Sequence, residues 1–324
     1  MNRAMTFVAA TVAASIAVSA ACFAAVAPSI GFTIKDSGAP NLVQLGLDAR
    51  FGSNSNSNWS TSYRLEELRG LTSAQLRSPT ATPVRFALVR EAGRVDCAGQ
   101  VRAMAGGGSC GFTPDPAFAA LLASRGIGQP SARQSYALAL GGASRAQLDA
   151  LAAARYPRPS VDQLVAMSIH KVSPAYIRGL ADAGYRLGDV DDLVGFKIHR
   201  VTPDLIAAYR QAGYRDLSAS DLTGMAIHRV TPEFIRAFAN LGYRNLTANK
   251  LTAMAIHRVT PEFVRGFARL GYRDLSADKL VELRIFNVTP DDVRAFQAQG
   301  GALPSAEQLV RLRLGGFRRK RDRR

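Results

Sequence analysis

The sequence contains few of the residues that build metal centres and nucleotide sites. Its 324 residues include three cysteines, four histidines and one tryptophan. It has no phosphate-binding Gly-Lys loop, dinucleotide-binding glycine fingerprint or EF-hand calcium loop. The zinc-peptidase signature His-Glu-x-x-His is also missing, because Lys or Arg follows every histidine. We therefore expect no cofactor, no resident metal, no enzymatic activity and no small-molecule substrate.

Long apolar runs are also absent, except at the N-terminus. Arg3 is the only charged residue among the first 34, and an Ala/Val-rich run covers residues 4–27. Small residues near its end permit cleavage, so residues 1–27 are interpreted as a signal peptide for export to the periplasm or the medium. Two alternatives remain, namely an uncleaved membrane anchor and a lipoprotein acylated at Cys22.

Export leaves two cysteines in the mature chain, Cys97 and Cys110. Two cysteines cannot complete a structural zinc site, which takes four ligands. An oxidising compartment allows them to pair. The loop so closed has 14 residues, and its closure stabilises a fold by about 3 kcal/mol in the chain-entropy model. We predict a Cys97–Cys110 disulfide.

The net charge of +16 is unevenly placed. Residues 1–159 carry 15 basic and 8 acidic side chains, residues 160–310 carry 18 and 16, and residues 311–324 carry 8 and 1. The middle of the chain is thus nearly neutral and the last segment is strongly basic. A nucleic-acid-binding array more often carries its positive charge along its own length.

A 29-residue repeat dominates the second half of the sequence. Ile-His recurs at this spacing four times and becomes Ile285-Phe286 in a fifth copy. Each copy continues with Ser/Thr-Pro and then with Gly-Tyr, which becomes Gly-Gly in the last copy. Units are predicted to start near residues 131, 160, 189, 218, 247, 276 and 305.

Each unit carries two helix starts and two helix stops. The residue types at the unit starts cap helix N-termini, and the later Ser/Thr-Pro pairs a capping hydroxyl with proline at the first helical position. The glycine of Gly-Tyr suits a left-handed helix end. Leu222, Met225 and Ala226 share one face of the first helix, and Phe234, Ile235, Phe238 and Leu241 share one face of the second. Helices this short depend on neighbouring units for their core.

The region before the repeats has a period of two. Residues 41–51 alternate apolar and polar and are predicted to form a strand. Residues 83–91 and 94–103 are predicted to form a hairpin around Glu91-Ala92-Gly93. Residues 52–60 are predicted to form a flexible Ser/Asn loop, and residues 105–109 a glycine-rich turn before a short strand near 110–113. Residues 64–69 and 72–77 are predicted as short helical turns.

The predicted fold class is therefore α+β. A small antiparallel β-rich domain occupies residues 28–113. An αα-repeat solenoid follows over residues 114–316, and a basic tail covers 317–324.

The repeat resembles a known arrangement. The string Leu-x-x-Met-x-Ile-His-Arg-Val-Thr-Pro-Glu-Phe-Ile/Val-Arg, followed by Leu-Gly-Tyr, resembles tandem helical repeats of bacterial envelope proteins, including those appended to membrane metallopeptidases of the β-lactam-sensor type. The resemblance covers roughly residues 131–316. It implies an extracytoplasmic interaction region, and it carries no catalytic activity across because the peptidase signature is missing.

Three columns of side chains follow from the repeat. The first column is formed by the histidines His170, His199, His228 and His257. They are weak candidates for metal ligands or a pH-sensitive surface, and the alternative is that they only end the first helices. Two basic columns are candidates for gripping acidic protein or phosphate-bearing polymer. The column that follows the histidines consists of Lys171, Arg200, Arg229 and Arg258. The column that follows Gly-Tyr consists of Arg186, Arg215, Arg244 and Arg273. The alternative is a solvated face partly paired with Asp216, Asp274 and helix-start acids.

Three further features remain open. Gly107-Gly108-Ser109-Cys110-Gly111 matches the Gly-x-Ser-x-Gly pattern of hydrolases, with Ser109 or Cys110 as a distant nucleophile candidate. Trp59 either stacks on a ligand or covers a sheet edge. The tail is a candidate polyanion clamp or a solubilising end. Its cations are Arg318, Arg319, Lys320, Arg321, Arg323 and Arg324.

The favoured function is an exported, non-enzymatic scaffold that binds a protein partner in the bacterial envelope. The alternative is a protein that binds polyanions, such as lipopolysaccharide, wall polymer or nucleic acid, or an anionic lipid surface, through the arginine columns and the tail. A hydrolase centred on Ser109 is the distant alternative.

Overall fold

The computed structural model describes residues 29–52, 55–300 and 302–315. The interpreted signal peptide and the basic tail lie outside these residues. Along the described chain, no helix combines the length and the apolar character needed to cross a membrane.

The chain divides into two compact units. The first contains most of the N-terminal sheet: the described residues up to 66, residues 70–86 and residues 96–112. The second contains the helices and the tip of one hairpin: residues 67–69, 87–95 and the described residues from 113 onward.

Seven antiparallel strands form one sheet within the described part of residues 29–114. Their bounds are β1 Ser29–Asp36, β2 Leu42–Phe51, β3 Ser55–Arg64, β4 Leu68–Arg69, β5 Thr82–Arg90, β6 Gly93–Arg102 and β7 Ala105–Pro114. The order across the sheet is β3-β2-β1-β7-β6-β5-β4. The predicted strand 41–51 and the predicted hairpin are confirmed as β2 and as β5 with β6. A 3₁₀ turn at Leu65–Glu67 and helix α1 at Ser73–Arg77 match the two predicted helical turns.

The buried face of the sheet follows the alternation of the sequence. Ile30, Phe32 and Ile34 of β1 are each at most 2% exposed, and the residues between them face outward. β1 pairs with β2 over its whole length and with β7 on its other side. Strand β1, which was not among the predicted strands, therefore lies inside the sheet, between β2 and β7.

The predicted Ser/Asn loop is wrong, because residues 55–60 form part of strand β3. β3 pairs with β2 in continuous register from Leu42↔Arg64 to Phe51↔Ser55. Trp59 lies half-buried on this edge strand and donates a hydrogen bond from Nε1 to the Tyr63 hydroxyl at 3.1 Å. The backbone ladder holds the strand, so its side chains need not be apolar, and composition alone was misleading.

The predicted glycine-rich turn at 105–109 is also wrong, because these residues lie inside strand β7. A Cβ on Gly108 would lie 2.6 Å from Cε1 of Phe32, and one on Gly99 would lie 2.8 Å from its Cζ. Both distances are far below van der Waals contact. The glycines therefore make room for a buried aromatic ring rather than for a turn.

Helices follow in tandem from residue 116 to residue 314. Their bounds are α2 Pro116–Ser124, α3 Ala132–Gly141, α4 Arg145–Ala153, α5 Val161–Ile169, α6 Pro174–Asp182, α7 Val190–Ile198, α8 Pro203–Gln211, α9 Ala219–Ile227, α10 Pro232–Ala239, α11 Ala248–Ile256, α12 Pro261–Ala268, α13 Ala277–Ile285, α14 Pro290–Gln297 and α15 Ala306–Leu314. From residue 160 onward, every predicted helix start is the observed N-cap. The α+β fold with a helical repeat region is thus confirmed.

First helices pack beside first helices and second helices beside second helices. Contacts join α3, α5 and α7, then α9, α11, α13 and α15, and likewise α4, α6 and α8, then α12 and α14. One core cluster extends from Phe238 in α10 to Val310 in α15 and so runs through several units. The helices therefore share a continuous apolar interior, as their shortness requires.

Tyrosine hydroxyls connect successive units. The tyrosine of each Gly-Tyr donates to a backbone carbonyl 32 residues further on, as from Tyr185 to Leu217 at 2.8 Å and from Tyr214 to Leu246 at 2.7 Å. Tyr209, which is 1% exposed, donates to the carbonyl of Val230 at 2.6 Å. These bonds satisfy buried polar groups across the boundary between units.

We expect alkaline pH to destabilise the array through Tyr209. Burial raises the pKa of Tyr209 to about 12, above its value near 10 in an unfolded chain. The stability that this difference contributes is complete below pH 10 and is lost as the pH rises toward 12. At pH 11 the loss through this one group is about 1.4 kcal/mol. Urea unfolding of the parent protein and of Tyr209→Phe at pH 8 and pH 11 measures this loss. Between the two pH values, the free energy of unfolding should fall by about 1.4 kcal/mol less in Tyr209→Phe than in the parent. An equal fall in both proteins would contradict the assignment.

Candidate binding surface

Both helices of a unit end in the same backbone arrangement. At the end of α7, the amide of Arg200 bonds the carbonyl of Lys197 at 3.2 Å, and that of Val201 bonds Phe196 at 2.8 Å. At the end of α8, Gly213 bonds Arg210 at 3.1 Å and Tyr214 bonds Tyr209 at 2.9 Å. These are Schellman motifs, in which the residue after the C-cap adopts the left-handed conformation.

The two motifs differ in the residue that takes the left-handed conformation. Second helices from α6 onward use glycine there, for example Gly213 with a φ of +97°, whereas the second helix α4 has Arg155 there at +61°. First helices use a basic residue instead: Lys171 at +56°, Arg200 at +59°, Arg229 at +56° and Arg258 at +53°. Gly142 and Asn287 take this position in the units on either side. A side chain other than Gly or Asn costs about 1–2 kcal/mol here. Four successive first helices therefore carry a basic residue at a position where glycine or asparagine would give a more stable fold.

An exposed isoleucine lies two residues before this position in five successive units. Among the described residues, most large apolar side chains with high exposure belong to this one column. They are Ile169 at 45%, Ile198 at 50%, Ile227 at 47%, Ile256 at 48% and Ile285 at 51%. We call these five isoleucines, with Lys171, Arg200, Arg229 and Arg258, the ridge. It is a surface that is both apolar and cationic, and it repeats once per unit.

A cavity of about 480 Å³ opens between two neighbouring segments of the ridge. Its lining includes Ile198, Arg200, Ile227 and Arg229, with Tyr209 and Met225 at its base. Tyr209 and Met225 are at most 1% exposed overall, so the floor belongs to the core. Between Ile198 and Ile227 the ridge therefore contains a groove with a floor of core residues.

Several acidic side chains of the array are paired with basic residues outside the ridge. Glu233 pairs with Arg236 and Glu262 with Arg265 on the same turns of the second helices. Lys250 meets Asp278 at 2.7 Å between first turns of neighbouring first helices. Those first turns lie about 12 Å along the helix axis from its C-terminal end. The array is therefore nearly neutral in total, although these paired charges lie away from the ridge cations at the C-terminal ends of the first helices.

The ridge arginines Arg200, Arg229 and Arg258 are not engaged in ion pairs within the described chain. Burial, and secondly the charge of Arg258, lowers the pKa of Arg284 in the following first helix. Lys171 differs from the arginines, because its Nζ donates to the carbonyl of Gly141 at 3.2 Å.

We expect Arg229→Gly to stabilise the protein by up to about 1 kcal/mol. Glycine removes the left-handed penalty of the arginine and loses some of that gain to greater freedom in the unfolded chain. Arg215→Gly is the matched control, because Arg215 is equally exposed but has a negative φ, and it should stabilise nothing. Urea unfolding of both variants checks this. Destabilisation by Arg229→Gly would mean that the arginine serves the fold.

The second basic column lies at the other connection of each unit. Arg186, Arg215, Arg244 and Arg273 are exposed. Arg215 and Arg244 line a cavity of about 510 Å³ that shares no lining residue with the ridge cavity. Their guanidinium groups form no ion pair with Asp216 or Asp274, so the pairing considered for this column is not observed among the described residues.

The histidines occupy helix ends. His170, His199, His228 and His257 are the C-cap residues of α5, α7, α9 and α11, which matches the expectation that they end the first helices. Across the described chain, no three His, Cys, Asp or Glu side chains gather as a metal site would require. Each histidine therefore lies singly at a helix end, between an isoleucine and a basic residue of the ridge in sequence.

The N-terminal candidates take ordinary structural positions. Ser109 lies in the middle of β7 opposite Gly31, so the strand-turn-helix setting that a hydrolase serine needs is not formed there. Cys110 is joined to Cys97 with an S–S distance of 1.98 Å, which confirms the predicted disulfide and removes Cys110 as a free thiol.

Two properties of the ridge were not predicted, namely the exposure of the isoleucines and the strained backbone of the basic residues. The first had a signal in the sequence, since Ile227 follows Met225 by two positions and so lies about 200° around the helix from it. The only sign of the strained backbone in the sequence is that glycine and asparagine occur in the flanking units at the repeat position that is Lys or Arg in the four units between them. Comparison with known proteins adds no relative, because no family model, no curated protein and no solved structure matches the chain.

Proposed function

We propose that this protein is an exported, non-enzymatic repeat scaffold that binds a protein partner in the bacterial envelope. The observation that carries the proposal is the ridge, where five units expose an isoleucine and four of them also hold a basic residue in a strained conformation. Exposed apolar side chains in a row are typical of protein interaction surfaces. Retaining cations at a cost in stability favours a role in binding over a role in folding.

Three further observations support parts of this proposal. The Cys97–Cys110 disulfide favours an oxidising compartment, as export requires. The resemblance of the repeats to those of bacterial envelope proteins points to the same compartment. The positions of Ser109 within a strand and of Cys110 within a disulfide favour a binding role over hydrolysis.

The test uses the full chain in the source cell, tagged at its C-terminus. We expect protease added outside the cell or to the periplasm to cleave the tagged chain without lysis. We also expect mild crosslinking to recover a protein species that stays bound in 0.5 M NaCl. Protection from protease in intact spheroplasts would contradict export. Recovery of no protein species, with or without salt, would contradict the scaffold.

A second candidate function is polyanion binding. The exposed Arg186, Arg215, Arg244 and Arg273 and the cavity between two of them favour it, and so does the basic composition of residues 317–324. Binding to heparin or lipopolysaccharide should then weaken steeply with salt, and removal of residues 317–324 should reduce that slope. Salt-insensitive binding would exclude this candidate.

A further inference from the structure

The ridge presents two complementary features at once. Ile198, Ile227 and Ile256 are about half exposed, and each lies two residues before an arginine that forms no salt bridge within the described chain. The acids nearest along the sequence to Arg229 and Arg258 are Glu233 and Glu262, and both are paired with arginines of their own helices. Asp204, the acid nearest to Arg200, forms no salt bridge within the described chain. A partner that supplies apolar side chains and carboxylates together would satisfy both features.

The spacing of the ridge restricts the shape of that partner. Neighbouring helices in a packed layer lie about 8–10 Å apart. Seven residues of an α-helix advance about 10.5 Å and return to nearly the same face. An extended strand repeats one face about every 6.6 Å or 13 Å, which does not match. A helix with an apolar residue every seven positions would therefore present one apolar side chain to each unit of the ridge.

We propose that the ridge binds an acidic amphipathic helix of a partner protein, with apolar side chains in the grooves between units and carboxylates on Arg200, Arg229 and Arg258. This inference rests on the proposed scaffold function and specifies the partner's chemistry. The cavity between Ile198 and Ile227 is large enough for a leucine side chain, since about 480 Å³ exceeds the volume of a single residue. Charge-assisted hydrogen bonds from arginine to carboxylate fix the register.

A lipid surface is the competing occupant, since isoleucine and arginine together also suit anionic headgroups. The grooves favour the helix, because projecting side chains fill a recess and a headgroup layer does not. Among the described residues, the highly exposed large apolar side chains are isoleucines and leucines, whereas interfacial membrane binding commonly uses tryptophan and phenylalanine as well.

The test measures fluorescence anisotropy of a labelled 28-residue peptide with the full mature chain. The peptide has four heptads with leucine at positions a and d and glutamate at e and g, and a scrambled peptide has the same composition. We expect saturable binding of the first peptide and at least tenfold weaker binding of the scrambled one. Ile198→Ser/Ile227→Ser/Ile256→Ser should weaken binding at least tenfold.

Two charge variants complete the design. Arg200→Gly/Arg229→Gly/Arg258→Gly is expected to fold at least as stably as the parent and to bind the peptide at least tenfold more weakly. Arg215→Ser/Arg244→Ser/Arg273→Ser removes the same charge from the other column and should change the affinity less than twofold. Circular dichroism confirms that each variant is folded, and the glycine variant keeps the test valid if the serine variant of the isoleucines is not.

Several outcomes would overturn the inference. These are equal binding of the scrambled peptide, unchanged binding by the glycine variant, and an equal loss in the Arg215, Arg244 and Arg273 variant. Ridge-dependent binding to phosphatidylglycerol vesicles, with no binding of the peptide, would assign the ridge to lipid instead. If envelope crosslinking still recovers a protein with the ridge variants, the scaffold function stands and only this surface is wrong.

Discussion

Replacement of Phe238 by alanine is expected to lower the free energy of unfolding by about 3–5 kcal/mol. Its side chain is fully buried, lies 4.7 Å from Phe234 and 6.3 Å from Tyr243 between ring centroids, and belongs to the cluster that several units share. The cavity left behind cannot close without moving a neighbouring unit. Urea unfolding followed by circular dichroism measures the loss.

Ile227→Ala is the matched comparison within the same unit. Ile227 is 47% exposed, so its truncation should cost less than about 1 kcal/mol. Two large apolar residues eleven positions apart would then differ severalfold in their effect. Losses of similar size would mean that the isoleucine is part of the core and that the ridge is not a free surface.

Removal of the disulfide is the second large effect. Cys97→Ala/Cys110→Ala should destabilise the sheet unit by about 3 kcal/mol in the chain-entropy model, because the bridge closes a loop with a separation of 13 residues. Trp59 is the only tryptophan of the chain and lies in strand β3. Its fluorescence therefore reports the unfolding of this unit alone.

Dithiothreitol provides the control for that experiment. It should shift the tryptophan transition of the parent protein to lower urea and leave that of the double variant unchanged. A shift of the same size in both proteins would show that the reagent acts elsewhere. A parent protein that is insensitive to reduction at the transition midpoint would contradict a stabilising bridge.

The helical part of the fold was predictable because its information is local and repeated. A serine or threonine before proline fixes a helix start by its own chemistry, and Gly-Tyr fixes a helix end. Five copies remove the ambiguity that a single nine-residue helix would leave. Thr231, for example, was expected as a cap from its sequence neighbours alone, and it accepts from the amide of Phe234 at 3.1 Å.

The sheet was harder to predict because its strands are specified by pairing with other strands rather than by their own residues. The serines and asparagines of β3 suggest a loop until β2 supplies the ladder. The glycines of β7 suggest a turn until Phe32 of β1 occupies the space above them. In both cases the deciding contact comes from another strand, and local propensity cannot reveal such a contact.

The candidate site was only partly predictable for a different reason. The column of Lys171, Arg200, Arg229 and Arg258 was visible as a repeated basic position, but its left-handed backbone was not. A count of charges made the array look neutral, because a sum does not show where the charges lie. Glu233 and Glu262, for example, are paired with arginines of their own helices rather than with Arg229 and Arg258. The location of each charge, not the net charge, identifies the ridge.

The central claim is that 29 residues form one module that stacks in series with its neighbours. Deletion of residues 218–246 removes one module and leaves equivalent partners in place, since Tyr214 would then meet the carbonyl of Leu275, which Tyr243 now contacts at 2.7 Å. Deletion of residues 218–231 removes only a first helix and its connection. Circular dichroism during urea unfolding compares the two. We predict that the full-module deletion keeps a cooperative transition with proportionately less helix and that the half-module deletion loses it. Equal tolerance of both deletions, or unfolding by the full-module deletion, would contradict the claim.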